Sequence, residues 1–167
     1  MFAFTKRRQL AGAALFSLVT AFAAVGHVTS VSANGANVNG CPADKVGVDL
    51  VTSGPDKPVG VTDTVLTSID LGKEMVAAQD HQFRMRRLTV QPGGIVPWHD
   101  HADRPAIIYI VQGEITEYAS DCAVPVLHKA GDVARDADLK HWWKNNSKKM
   151  AVLISADILH DPADKNM

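Results

Sequence analysis

Short apolar runs separated by turn signals constrain the fold of this chain more than any other feature of the sequence. From about residue 63 onward, Gly, Pro, Ser and Asp residues interrupt the apolar runs at Pro92-Gly93-Gly94, Gly113, Ser120-Asp121 and Gly131-Asp132. The predicted strands are residues 64–71, 83–90, 106–111, 115–118, 124–127, 142–143 and 150–158. Many short strands at regular spacing favour a sandwich or barrel over an α/β fold.

The first 33 residues differ from the rest and resemble a secretory signal peptide. A basic start at residues 6–8, an apolar stretch at residues 10–25 and the small residues Val31-Ser32-Ala33 follow in that order. The apolar stretch is shorter than the roughly 20 residues that span a bilayer. We therefore expect cleavage after Ala33 rather than an uncleaved anchor, and a periplasmic or secreted protein. Whether Sec or twin-arginine export is used stays open.

Residues 34–62 are rich in Gly, Asn, Pro, Asp and Ser, which predicts an irregular N-terminal arm. Residues 63–167 then form one all-β domain, with one or two helical turns within residues 72–80. The 167-residue chain has 17 basic and 18 acidic residues, and loss of the leader removes three basic residues and no acidic one. The remaining net charge of −4, without a basic patch, argues against a nucleic-acid partner. After cleavage we expect no membrane association.

Cys41 and Cys122 are the two cysteines of the chain, and both follow the leader. Cysteines of exported proteins often pair, because their compartment is oxidising. We expect a Cys41–Cys122 disulfide that ties the arm to a loop of the core, with two free thiols as the alternative.

Three histidines form a candidate metal site. His99 and His101 are two positions apart, so on a strand their side chains point to the same face. His141 comes 40 residues later, after strands that can fold back beside the first pair. Imidazole nitrogen binds Fe, Zn, Cu, Ni and Mn to different degrees.

The spacing around the first two histidines resembles the first motif of the cupin family. Gly93 is followed by five residues and then by His99 and His101, and Gly113 ends the motif at the family's spacing. The motif's glutamate is missing, because its position holds Ala106.

The second cupin motif is also recognisable. Gly131 opens it, and three residues separate His141 from Asn145, but the motif is one residue short and lacks its Pro-x-Gly turn. The resemblance as a whole covers about residues 83–158. The resemblance implies a single-domain double-stranded β-helix, or jelly-roll-like barrel, with a divalent transition metal near one open end. His99, His101 and His141 would be its ligands. Fe(II) is favoured over Zn, Mn, Ni or Cu, and a homodimer is also implied.

Ala106 in place of glutamate leaves three alternatives. The first is a three-histidine site with vacant positions, as in the thiol dioxygenase branch of the cupins. In the second, Glu117 is an additional ligand or supports one, since Glu117 shares a strand face with Ile115; a solvated surface glutamate is the competing interpretation. The third is a barrel that has lost its metal.

Four residues are candidates for the wall of a substrate pocket. Arg86 could clamp a carboxylate if its strand face lines the barrel. Trp98 and Trp143 flank the proposed ligands, and Tyr109 could orient bound oxygen. Each has a structural alternative, which is an ion pair for Arg86 and packing for the aromatic side chains. For His128 we expect a surface or core position without a functional role.

These features favour a metal-binding cupin, with a mononuclear Fe(II)-type oxygenase acting on a small molecule in the periplasm as the leading function. A non-catalytic module that binds or senses a metal or small ligand is one alternative, and a metal-assisted lyase or isomerase is another. A structural cupin with a vestigial histidine cluster is the third. The sequence has no G-x-S-x-G elbow, phosphate-binding glycine loop or CxxC pair, which argues against serine hydrolases, nucleotide enzymes and thioredoxin-like proteins.

Overall fold

A computed structural model describes residues 39–160, and within them eight antiparallel strands form one sheet. The predicted signal peptide lies outside the described residues. The strands are β1 (Val59–Asp70), β2 (His81–Asp100), β3 (Ala106–Gln112), β4 (Glu114–Ala119), β5 (Val126–Lys129), β6 (Val133–Asp136), β7 (Lys140–Lys144) and β8 (Ala151–His160). Their hydrogen-bonded order is β5-β4-β7-β2-β8-β3-β6, and β1 pairs with β2.

Strand β2 joins two halves of this sheet. Its first part, residues 81–90, pairs with β1 on one side and β8 on the other, whereas residues 95–100 pair with β7. One core cluster contains side chains from both halves, among them Val90 and Ile110 from one and Ile115 and Trp143 from the other. The two halves therefore enclose a common interior, and the predicted all-β barrel is confirmed.

Alternation along the strands decides which side chains enter this interior. In β8, every second residue from Ala151 to Leu159 is buried, and in β3 the buried residues are Ala106, Ile108 and Ile110. This period of two follows from the pleat of a β-strand. It places Ser155 and Asp157 of β8 on the inner face, so the interior is not purely apolar.

Several elements differ from the prediction. Strand β2 continues through the predicted turn at residues 92–94, because residues 91–94 bulge out between the Val61–Val90 and Val59–Ile95 pairs instead of reversing the chain. Strand β1 begins inside the predicted arm. Strand β6 was missed, since four residues are too few to show an apolar alternation. The expected helical segment within residues 72–80 is limited to a 3-10 turn at Leu71–Lys73.

The turn predicted at Gly113 is present between β3 and β4. Gly113 has φ of +76°, and a Cβ atom there would lie 2.6 Å from the carbonyl oxygen of Met150. Both observations require glycine at this position. The turn reverses the chain so that β4 enters the second half of the sheet.

A disulfide between Cys41 and Cys122 attaches the arm to the connection between β4 and β5, as predicted. Backbone hydrogen bonds from Gly47 to Asp121 and from Leu50 to Ser120 hold the same contact. Among residues 39–160, no helix is long and apolar enough to cross a membrane.

Candidate metal centre

The three predicted histidines lie together inside the barrel. His99 of β2 and His141 of β7 are direct cross-strand partners, and His101 follows the end of β2. The ring centroids are 4.5 Å apart for His99 and His141 and 4.8 Å apart for the two pairs that include His101. His101 and His141 are buried, and His99 is half-buried.

Each of the three rings is oriented by an acceptor at Nδ1. The carbonyl oxygen of Pro97 lies 2.7 Å from Nδ1 of His99, and that of Arg104 lies 2.6 Å from Nδ1 of His101. For His141 the acceptor is a carboxylate oxygen of Glu117, at 2.6 Å. Because these oxygens can only accept, Nδ1 carries the proton in each neutral ring and Nε2 presents its lone pair.

The Nε2 atoms share one space. Those of His99 and His141 are 3.0 Å apart, and Nε2 of His101 is buried with no hydrogen-bond partner within residues 39–160. Nε1 of Trp143 donates to Nε2 of His141 at 3.3 Å, which agrees with a lone pair at that nitrogen. Lone pairs directed at one point repel each other unless a cation lies between them.

The electrostatics of the cluster differ from ring to ring. Burial and the neighbouring histidines lower the pKa of His99, and burial, followed by His141, lowers the pKa of His101 to about 3. Burial also disfavours the charged form of His141, but Asp136 and Glu117 outweigh it and raise the pKa of His141. The first two rings are therefore neutral, as metal ligands must be.

Glu117 lies behind His141 and does not reach solvent. Its side chain is fully buried, and its second oxygen accepts a hydrogen bond from Nε2 of His128 at 2.8 Å. Although burial opposes ionisation, the hydrogen bonds from His128 and His141 lower the pKa of Glu117 to about 2. The surface alternative for Glu117 is wrong, and its two oxygens support histidines.

Asp136, at the end of β6, is a second buried carboxyl group. Its Oδ2 lies 3.8 Å from Nε2 of His141, and neither oxygen has a hydrogen-bond partner within the described residues. Burial raises the pKa of Asp136 to about 7, against the opposing effect of His141. His99, His101 and Asp136 line the same cavity, together with Arg86, Trp143 and Ser155. The cavity volume of about 20 Å³ has room for about one water molecule.

A family comparison agrees with this arrangement. Residues 86–157 match the family model described as a cupin domain. This chain contains a cupin domain. The matched segment includes all three histidines, Glu117 and Asp136.

Two solved structures illustrate what the cupin domain is similar to. A predicted oxalate decarboxylase from Thermotoga maritima is 21% identical, with 65% of this chain and 95% of that chain covered and a TM-score of 0.48. An uncharacterized conserved protein with a double-stranded β-helix domain from Klebsiella pneumoniae is 16% identical, with 65% and 81% covered and a TM-score of 0.48. At these values nothing about activity is carried over. No curated protein matches the chain.

The four candidates for the pocket wall separate into two pairs. Arg86 and Trp143 line the cavity of the cupin domain. Trp98 is half-buried and lies outside the cavity lining, and Tyr109 is 46% exposed on the outer face of β3. Strand alternation explains Tyr109, because its neighbours Ile108 and Ile110 occupy the inner face.

Arg86 is neither a surface residue nor unpaired. Its guanidinium is bonded to Asp63 of β1 and lies 3.2 Å from Asp157 of β8, which is also held by Arg84 in a bidentate pair at 2.7 and 3.0 Å. Its Nε has no hydrogen-bond partner in the described part of the chain. Arg86 therefore both ties three strands together and offers one buried donor to the cavity.

A divalent transition metal fits the donor set. Three Nε2 lone pairs converge, their Nδ1 atoms are fixed by acceptors, and buried Nε2 of His101 has no other partner among residues 39–160. Metal-binding histidines typically donate their second N–H to a carbonyl or carboxylate in this way. Glu117, Asp136 and His141 form a second group that could hold an ion. Which atoms bind the metal, and which metal it is, remain predictions.

Proposed function

We propose that this cupin domain binds one divalent transition metal through Nε2 of His99, His101 and His141 and acts with it on a small molecule in the periplasm. The observation that carries the proposal is the common orientation of the three rings, each held at Nδ1 by an acceptor. Fe(II) is the favoured ion, since a face of neutral nitrogen donors leaves positions for a substrate and O₂. A bound metal would supply Lewis acidity and, if it is iron, redox chemistry.

The side chains of Arg86 and Ser155 indicate that the ligand is a small polar molecule. Nε of Arg86 and Oγ of Ser155 are buried, line the cavity and have no hydrogen-bond partner within residues 39–160. A guanidinium N–H and a hydroxyl group can both donate to a carboxylate or carbonyl oxygen. These two residues would bind and orient the ligand, while Trp143 and the aliphatic lining would exclude water.

The exported location is supported by the disulfide, since such bonds persist in oxidising compartments. Cleavage after Ala33 and the homodimer stay predictions. Mass spectrometry of exported material tests the cleavage, with an N-terminus at or near Asn34 expected.

A non-catalytic module that binds a metal or small ligand is the second candidate. The volume of the cavity, about 20 Å³, favours it, because a space for about one water molecule leaves little room for a substrate beside an ion. Turnover of a larger substrate would need the barrel to open.

Elemental analysis of protein produced with its own leader, and purified without a metal-binding tag, tests the metal site. We expect about one iron per chain, and then oxygen uptake with small thiols, phenols or acids. One zinc, nickel or manganese per chain would favour lyase, isomerase or binding roles. Absence of metal, with none taken up on reconstitution, would contradict the proposal.

Three substitutions locate the site. His99→Ala, His101→Ala and His141→Ala should each abolish stoichiometric metal binding. His160→Ala is the matched control, because His160 stacks on His81 outside the cluster and should bind metal normally. Full occupancy in the His141→Ala protein would contradict the three-histidine assignment.

A further inference from the structure

Ala106 and Asp136 face each other across two paired strands. They are direct partners in the register of β3 and β6, so their side chains point to the same side of the sheet. Both are buried inside the barrel. Ala106 occupies the position at which the cupin motif has glutamate. A carboxyl group therefore stands one strand away from the place where the motif lacks one.

Among the described residues, none donates a hydrogen bond to the side chain of Asp136. Both oxygens are buried, and neither is hydrogen-bonded to any group within residues 39–160. A buried carboxyl group without donors costs stability, and a bound cation would offset that cost. The cavity that Asp136 lines also contains His99 and His101, and its Oδ2 lies 3.8 Å from Nε2 of His141.

Glu117 does not fill this role. One of its oxygens accepts from His141 and the other from His128, so both are already engaged. Asp136 is the carboxyl group that lines the cavity with its oxygens uncommitted in the described part of the chain.

We propose that Asp136 supplies the carboxylate that Ala106 lacks, so that the metal is bound by His99, His101, His141 and Asp136. This inference rests on the proposed metal site. With metal–ligand distances of about 2.0–2.2 Å, two ligand atoms lie about 3 Å apart at right angles and about 4.2 Å apart when opposite. The separation of 3.8 Å between Oδ2 and Nε2 of His141 lies within this range, and His141 is the residue shared by the two groups that could hold an ion, so Asp136 would join the site from the side of His141. A carboxylate also lowers the charge that a buried divalent ion would otherwise bring into the barrel.

Titration of the metal-free protein with Zn²⁺ alone, followed by calorimetry, tests the assignment. Asp136→Asn should weaken Zn²⁺ binding at least about tenfold. The melting temperature of the metal-free variant should equal or exceed that of the unmodified protein, because no hydrogen bond is lost. Asp138→Asn is the matched control, since Asp138 is exposed on the same segment and Asn tolerates its φ of +57°. Unchanged affinity in Asp136→Asn would overturn the inference.

An exchange of the carboxylate between strands provides the second test. Asp136→Ala should bind Zn²⁺ weakly, and the added substitution Ala106→Glu should restore affinity to within a few-fold of the original. A folded double variant that binds no better than Asp136→Ala would contradict the assignment. If the unmodified protein binds no Zn²⁺, the proposed metal site itself fails. If it binds and Asp136→Asn binds equally well, only the role of Asp136 fails.

Discussion

Glu117 and His141 are joined by a hydrogen bond of 2.6 Å between a carboxylate oxygen and Nδ1 of the ring. Both side chains are fully buried, and they come from neighbouring strands, β4 and β7. The bond fixes the ring so that Nε2 points into the histidine cluster. Because His128 holds the other oxygen of Glu117, the carboxylate cannot rotate away from His141.

Replacement of Glu117 by Gln should therefore weaken metal binding without removing a metal ligand. The variant keeps the size of the side chain but loses the charge and one of the two acceptor oxygens. We expect a 10- to 100-fold loss of affinity, as is usual when the partner of a metal-binding histidine is changed. Calorimetric titration with Zn²⁺ measures it.

Glu114→Gln serves as the control for this change, since Glu114 lies on β4 with its side chain on the opposite face from Glu117. It should bind Zn²⁺ as the unmodified protein does. Equal affinity of the Glu117 and Glu114 variants would show that the Glu117–His141 bond does not support the site.

Trp143 should report metal binding by its fluorescence. Its indole N–H donates to Nε2 of His141 at 3.3 Å, and a metal bound at that nitrogen would displace the hydrogen bond. We expect the emission of the protein to change on titration with Zn²⁺ and the change to be lost in Trp143→Phe. Trp142→Phe should retain it, because Trp142 stacks on Tyr118 at 4.0 Å and does not line the cavity. A change that persists in Trp143→Phe would contradict this origin.

The sequence predicts the histidine cluster well because the spacing of His99 and His101 carries it. The buried polar residues around the cluster are harder to recognise. Asp136 shares a strand face with Ala134, and His128 shares one with Val126, so alternation placed both inside if the adjacent apolar residue was inside. Each of these strands has only four residues, and so short an alternation does not show which face of the strand is buried.

The other contacts that the sequence does not predict depend on pairing between strands that are distant in the chain. The partnership of Ala106 with Asp136 depends on the register of β3 and β6, and that of Arg86 with Asp63 on the register of β1 and β2. A single sequence contains the apolar alternation but not the register. For this reason Arg86 could be named as a pocket residue, whereas its two aspartate partners could not.

Replacement of Arg86 by Met should destabilise the fold. Asp63 would lose its buried partner, while Asp157 would keep the bidentate bond to Arg84. Removal of one member of a buried ion pair costs about 3–5 kcal/mol. We expect about 3 kcal/mol, the low end, because the side chain of Asp63 is 18% exposed and Asp157 remains paired. Urea unfolding measures the change.

Arg87→Met is the matched control for Arg86, since Arg87 is the next residue on β2 and is exposed. Its substitution should change the free energy of unfolding by no more than about 0.5 kcal/mol. If the two arginine variants unfold at the same urea concentration, the buried network does not stabilise the barrel as its geometry indicates.

Removal of the disulfide should lower stability and leave metal binding intact. Cys41 and Cys122 are 81 residues apart, so their bond restricts a long loop of the unfolded chain. Disulfides typically contribute about 2–4 kcal/mol, with more for longer loops, and we expect the Cys41→Ser, Cys122→Ser variant to lose an amount near the upper value. Neither cysteine lines the cavity, so Zn²⁺ affinity should be unchanged. Urea unfolding and calorimetric titration of the same sample separate the two effects. A loss of affinity without a loss of stability would contradict this expectation. It would mean that the arm, which is attached next to β4, orients the metal-binding residues and does not stabilise the fold.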